Sequence, residues 1–357
     1  MDIEDIKRAS HKKKVQIGII MGILCALYWG IWYVPGYAIW YLPFLDNLYT
    51  PGGPLMEHGL SSDTAYLLAC LFLTGINAIA CALVLFIWNG GLGKIREFKR
   101  TTVEFKAASK YFLFAGLCGA CAVYGTYIAA AFLSPGFAAV AGLLYPIIGT
   151  TLSVLVLKQK VSKRAYLSIV VILVGGVTLY AGSIANDATF NTIGLIGGIM
   201  AAVGWGCEGA VAGKALDYCE PDVGLHLRFC FEALFWLIVL IVIACTGIPI
   251  FATIAQIDAV TIFAILMIGL SFAWCYVAWY KAFPMIGVPR GQAIGSLYAM
   301  CGVIFLIVFF GPTNALGSTD TIVVACTILG MIICIIGSLI MATENTEDLV
   351  SLKGDSE

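Results

Sequence analysis

Ten apolar stretches of membrane-spanning length follow one another along this chain, near 15–42, 64–88, 111–133, 136–157, 165–184, 192–213, 223–246, 260–283, 290–310 and 320–342. A hydrocarbon layer takes about 20 apolar residues of helix to cross. Inside it every backbone polar group must be paired within the protein, so runs of this length are helices. The expectation is an all-α integral membrane protein with ten transmembrane helices. Charged residues make up only 11% of the chain, against roughly 25% in soluble domains. Water is therefore not the main solvent of its surface, and nothing in the composition points to nucleic acid.

Lys and Arg decide the orientation. The connections 43–63, 134–135, 185–191, 247–259 and 311–319 contain neither residue. All 20 basic residues lie on the other side, in the N-terminal arm, the alternate connections, the matching helix edges or the tail. The positive-inside rule then places both termini in the cytoplasm of a multi-pass protein of the cell membrane. Lys12, Lys13 and Lys14 before an apolar run resemble the start of a signal peptide. The run extends to Leu42 with no small-residue cleavage site, so it reads as a retained first helix. The 13 cysteines fall mostly inside apolar runs, as small packing residues rather than a disulfide framework or zinc site.

The two halves of the chain repeat one another. Gly18, Gly22, Trp29 and Gly30 reappear as Gly194, Gly198, Trp205 and Gly206, each 176 residues on. Leu144-Tyr145 in the fourth run likewise matches Leu297-Tyr298 in the ninth. An odd number of spans per repeat makes the halves enter the membrane in opposite directions, the arrangement of many secondary transporters. The expected organisation is a basic cytoplasmic arm (1–14), two five-helix repeats (15–184 and 185–342) in a 5+5 inverted repeat, and an acidic cytoplasmic tail (343–357). The pairs Gly18/Gly22, Gly194/Gly198, Gly209/Gly213 and Gly291/Gly295 let helices approach closely.

With these features the chain resembles the ten-helix type of the drug/metabolite transporter superfamily. The likeness rests on the five-plus-five repeat, Trp-Gly in helices 1 and 6, Pro146 after Tyr145, and tight hairpins at Ser134-Pro135-Gly136 and Pro284–Pro289. It implies a carrier of small solutes, a class that includes amino acids, drugs, sugars, nucleotide-sugars and amines.

Two carboxylates lie inside the runs, Glu208 and Glu232, and intramembrane charge is costly enough to mark a cavity or a partner. Glu208 shares a helical face with Trp205, three residues earlier, just as Trp32 does with Trp29. Glu232 follows Arg228 by four residues, so an intrahelical ion pair is the competing account of it. The expected substrate site near mid-membrane comprises Trp29, Trp32, Tyr145, Trp205, Glu208, Glu232, Trp274 and Tyr298. Tyr37, Trp40 and Tyr41 read as interfacial belt aromatics. Aromatic faces beside a carboxylate suit an organic cation. The leading expectation is thus a choline-like amine, coupled to protons through Glu208. The alternative is a neutral or amphipathic metabolite, with a non-transport membrane protein as the remote case. Protease signatures are absent and no enzyme activity, metal or cofactor is expected. The expected partners are the lipid bilayer and a small-molecule substrate.

Overall fold

The computed structural model describes residues 3–104, 106–132, 142–186, 191–316 and 320–342. Among these residues no strand occurs, and eight helices are long and apolar enough to cross a membrane. The elements are α1 (Ile3–Ala38), a 3-10 turn (Ile39–Tyr41), α2 (Pro43–Tyr49), α3 (Pro54–Glu57), α4 (Ser62–Gly91), α5 (Ile95–Val103), α6 (Lys106–Phe132), α7 (Tyr145–Val156) and α8 (Lys163–Asn186). The second half supplies α9 (Thr192–Ala215), α10 (Pro221–Cys245), α11 (Ala259–Ile286), α12 (Val288–Gly295), α13 (Tyr298–Leu316) and α14 (Thr321–Ala342). The span expected near 136–157 is described only from Gly142 onward, so the hairpin expected at 134–136 lies outside the described residues, as does the tail.

Side chains start several of these helices. Ser61 accepts from the Thr64 amide, Asn191 Oδ1 from Ile193 and Gly194, and Asp258 from Thr261, occupying amides that the first turn leaves without a partner. Where two helices cross, glycine decides how near they come. A Cβ on Gly125 of α6 would lie 2.5 Å from the Gly197 carbonyl oxygen of α9, and one on Gly197 2.7 Å from that of Gly125. Such contacts admit hydrogen only.

The packing has a regular partnership. α6 runs along α9 as α11 runs along α1, and α7 lies against α9 as α13 lies against α1. α6 meets α10 as α4 meets α11, and α4 also packs on α10 and α8 on α14. Single contacts obey the same exchange. Gly30 abuts Cys301, and its repeat mate Gly206 abuts Ile148, with 2.5 and 2.6 Å from an added Cβ to the neighbouring Cβ. A turn at Leu143–Leu144 precedes α7, and a turn at Ser296–Leu297 separates α12 from α13, so Tyr145 and Tyr298 each begin a helix after a break.

Candidate functional site

The breaks bring the two tyrosines to the centre of the molecule. Trp29 stacks on Tyr298 (centroids 4.3 Å apart, 18° between planes) and meets Trp205 edge-on at 4.6 Å. Tyr145 lies 5.9 Å from Trp29 and 6.2 Å from Trp205. All four are fully buried. Gly142 sits beneath the Tyr298 hydroxyl and Gly295 beneath that of Tyr145, so each tyrosine fills the space that the other repeat's break leaves. Tyr145 Oη donates to the Gln292 carbonyl at 2.7 Å, and Gln292 Nε2 donates to the Trp205 carbonyl at 3.2 Å. This aromatic core is buried and tightly interlocked.

Beside it lies a buried charge cluster. Arg228 of α10 grips Glu208 of α9 with two bonds, Nε to Oε1 at 2.7 Å and Nη2 to Oε2 at 3.1 Å. Its Nη1 donates to Glu232 Oε2, one helical turn on. Tyr280 and Tyr276 of α11 donate to the two Glu208 oxygens at 3.0 and 3.1 Å. Trp205 Nε1 donates in turn to the Tyr276 hydroxyl at 3.0 Å. The guanidinium also lies over the rings of Phe229 and Tyr276, 4.0 and 4.8 Å from their centroids. Gly119 of α6 leaves the room that Arg228 occupies. A buried ion pair repays its desolvation only with bonds as complete as these. Glu208 therefore has both oxygens filled by protein, and the intrahelical Arg228–Glu232 pair forms as well. Glu232 Oε1 alone is left without a hydrogen bond of ordinary geometry.

The open space is elsewhere, at the end of α1 beyond this cluster. A cavity of about 360 Å³ is lined by Trp32, Tyr33, Tyr37, Trp40, Tyr41, Tyr49, Tyr66 and Tyr127, together with Gly36, Asp46, Thr126, Ala130, Ala131 and Leu306. Trp32 joins this cavity to the buried core. It stacks on Phe272 at 4.8 Å and 28°, and its Nε1 donates to Asn77 Oδ1 at 3.1 Å. Trp40 meets Tyr49 and Tyr66 edge-on at 5.8 and 5.4 Å, and Tyr41 donates to the Tyr37 hydroxyl at 2.9 Å. Burial raises the Tyr49 hydroxyl above the usual tyrosine range, and the charge of Asp46 adds to it, so this wall stays neutral.

Of the eight expected site residues, Trp29, Tyr145, Trp205 and Tyr298 converge in the aromatic core. Glu208 and Glu232 share Arg228, and Trp32 reaches the cavity. Trp274 does not join them: it packs against Tyr28 and Trp88, at 6.2 and 4.5 Å, toward the opposite face. Tyr37, Trp40 and Tyr41, expected as belt residues, line the cavity, and Tyr41 is also 67% exposed. Their spacing was the available signal. Trp32, Gly36 and Trp40, like Tyr33, Tyr37 and Tyr41, recur every four residues and continue the face of the deep aromatics. Glycine in the middle of the first series opens the gap between two indoles.

Comparison with known proteins agrees with this architecture. Residues 62–181 match the EamA-like transporter family. The resemblance to the drug/metabolite transporter superfamily is thereby borne out, and the chain is a multi-pass membrane protein. Protein LicB of Haemophilus influenzae is 22% identical over 287 residues, which cover 80% of this chain and 87% of LicB. A protein solved as a crystal structure matches 92% of this chain and 99% of its own, with a TM-score of 0.57 at 16% identity, and so shares the fold.

Proposed function

We propose that this EamA-like chain is a secondary transporter that moves a small organic cation, a choline-like quaternary amine or a related amine, by alternating access. The observation that carries the reading is the cavity, where eight aromatic side chains surround a space of about 360 Å³ and Asp46 supplies a carboxylate. Aromatic faces attract a cation by about 0.5–1 kcal/mol at exposed sites and about 2 when desolvated. A quaternary ammonium has no N–H to donate, so rings and one nearby charge recognise it better than hydrogen-bond acceptors do. The cavity is the loading site, and Trp32 lines it on the side of the aromatic core. Two helices that restart at matching tyrosines, and packing that survives exchange of the halves, support two inverted repeats of five spans each. The reading includes ten spans, cytoplasmic termini and the repeat boundaries 15–184 and 185–342.

Proton coupling, expected at Glu208, moves to Glu232 in this reading. Glu208 is already saturated by Arg228 and two tyrosines, whereas Glu232 keeps one oxygen without a hydrogen bond of ordinary geometry, beside the Trp236 indole. That saturation also favours the second reading, a neutral or amphipathic metabolite, because it leaves Glu208 no charge to offer. Calorimetric titration of tetramethylammonium and choline into the protein in lipid nanodiscs separates the two. Asp46→Asn is expected to weaken cation binding about tenfold and Trp40→Ala by about 0.5–2 kcal/mol. Unchanged cation affinity in both variants, or binding of neutral analogues alone, would hand the lead to the second reading.

A further inference from the structure

The face opposite the cavity is tied shut by charge. Tyr66 lines the cavity from one end of α4, and Trp88 lies 22 residues further along the same helix, roughly 33 Å away at 1.5 Å per residue. There the Asp222 carboxylate, 1% exposed at the start of α10, collects contacts from three other segments. Lys94, just after α4, pairs with its Oδ2 at 2.7 Å, and Lys281 near the end of α11 pairs with its Oδ1 at 3.0 Å. Trp88 Nε1 donates to the same Oδ1 at 3.1 Å, and Asn89 Nδ2 donates to the Asp222 carbonyl at 3.2 Å. Lys94 reaches Glu220 as well, at 2.7 Å. Lys281 also lies over the Trp88 ring, 5.7 Å from its centroid.

We infer that Asp222 is the latch of the closed face: it clamps α4 of the first repeat to α10 and α11 of the second while the aromatic cavity is open, and the opposite state forms when its lysines let go. The inference rests on the transport reading above, since a carrier that alternates must seal one face while the other is open. Three features distinguish the cluster from incidental surface pairs. The central carboxylate is buried, its ligands come from both halves of the chain, and both ammoniums are partly exposed. Water can take over the lysines when the helices part, which keeps the bond breakable. Partial burial lowers the Lys94 pKa, but its bonds to Asp222 and Glu220 outweigh that effect and hold it above the ordinary lysine value. Its contribution is therefore complete below about pH 10 and is lost only above that, so the latch stays charged at physiological pH.

The test reads accessibility with no substrate present. Single cysteines are introduced at Ala130, in the cavity wall, and at Ala282, buried beside Lys281. The protein is kept in nanodiscs and labelled with N-ethylmaleimide, and each site is followed by peptide mass spectrometry so that the native cysteines do not interfere. Asp222→Asn keeps the shape and the acceptor for Trp88 but removes the charge that two lysines share. It should slow labelling at Ala130→Cys and speed it at Ala282→Cys, raising the ratio of the second rate to the first about tenfold, the factor that about 1.4 kcal/mol gives. Unchanged rates at both positions in a folded Asp222→Asn protein overturn the inference. If that variant does not fold, Lys94→Met, at a side chain 28% exposed, decides in its place: a smaller shift in the same direction supports the latch, and unchanged rates overturn it. Shifted labelling in a protein that binds no organic cation keeps the latch and sinks the substrate reading.

Discussion

Glu208 and Glu232 differ in what surrounds their oxygens. Two carboxylates and one guanidinium leave the cluster one negative charge in excess, at 0% exposure for all three residues. A site buried in the membrane bears such an excess poorly, and Glu232, whose Oε1 makes no hydrogen bond of ordinary geometry and has the Trp236 indole as its neighbouring donor, is where a proton can be accommodated. Arg228, Glu208, Tyr276 and Tyr280 bear on Glu232 from one side of the cluster, and Cys81 and Tyr127 interact with it electrostatically from α4 and α6. Glu232→Gln reproduces the protonated shape without the charge. Transport by that variant in proteoliposomes should lose its dependence on pH while substrate binding in the cavity persists. Glu208→Gln, by contrast, leaves Arg228 short of a buried partner and should destabilise the fold by about 3–5 kcal/mol, read as a lower thermal midpoint. A Glu232→Gln protein with the wild-type pH profile would make the second carboxylate purely structural.

Helix crossings set by glycine give the repeat its measurable consequence. Gly30 and Gly206 occupy the same place in the two halves, each against the helix that restarts at a tyrosine. Leu at either position must push Cys301 or Ile148 aside, overpacking worth about 1–3 kcal/mol, and the two losses should be similar. Gly90, near the end of α4, has no atom within 4 Å of an added Cβ, so Gly90→Ala should be neutral or raise stability by up to about 1 kcal/mol. Thermal unfolding in detergent checks all three, and a large gap between the Gly30 and Gly206 variants would speak against equivalence of the halves. These positions were legible in the sequence because a close crossing admits only small residues, and the repeat marks them twice. The eight spans found among the described residues were legible for a similar reason, since hydrocarbon permits the backbone one answer. The cavity was not. Tyr37, Trp40 and Tyr41 have the composition and depth of belt aromatics, and only α2, Tyr66 and Tyr127, brought in from distant sequence, make a container of them. Nor does Arg228 announce its grip on Glu208, because twenty residues and a helix reversal separate the two. Trp274 misled for the opposite reason: its side of α11 turns toward Trp88 and away from the aromatic core.

The exchange of halves also says what the opposite state contains. If each repeat adopts the other's present conformation, the α1 residues that now line the cavity hand that task to their mates 176 positions on: Trp32, Tyr33, Gly36 and Tyr37 give way to Glu208, Gly209, Ala212 and Gly213. At present Gly209 is packed under Gln292 and Gly213 under Val288, both on α12, so this second space is closed. Once open it would offer helix-1-equivalent residues of very different character. Two glycines and an alanine stand where two tyrosines and a glycine line the cavity, and the single carboxylate is already committed to Arg228. A cation delivered there loses three of its aromatic neighbours, each worth about 0.5–1 kcal/mol at partly exposed sites. The expected outcome is a half-saturating concentration roughly tenfold or more higher from the latch face than from the cavity face. Inside-out and right-side-out proteoliposomes, assayed for uptake of the same labelled amine under zero membrane potential, measure both values. Asp222→Asn should narrow the difference seen from the latch face by raising the population open to that side, while intrinsic affinities stay as they are. Equal half-saturation from the two faces in the wild-type protein would mean that the opposite state is not the exchanged image of this one.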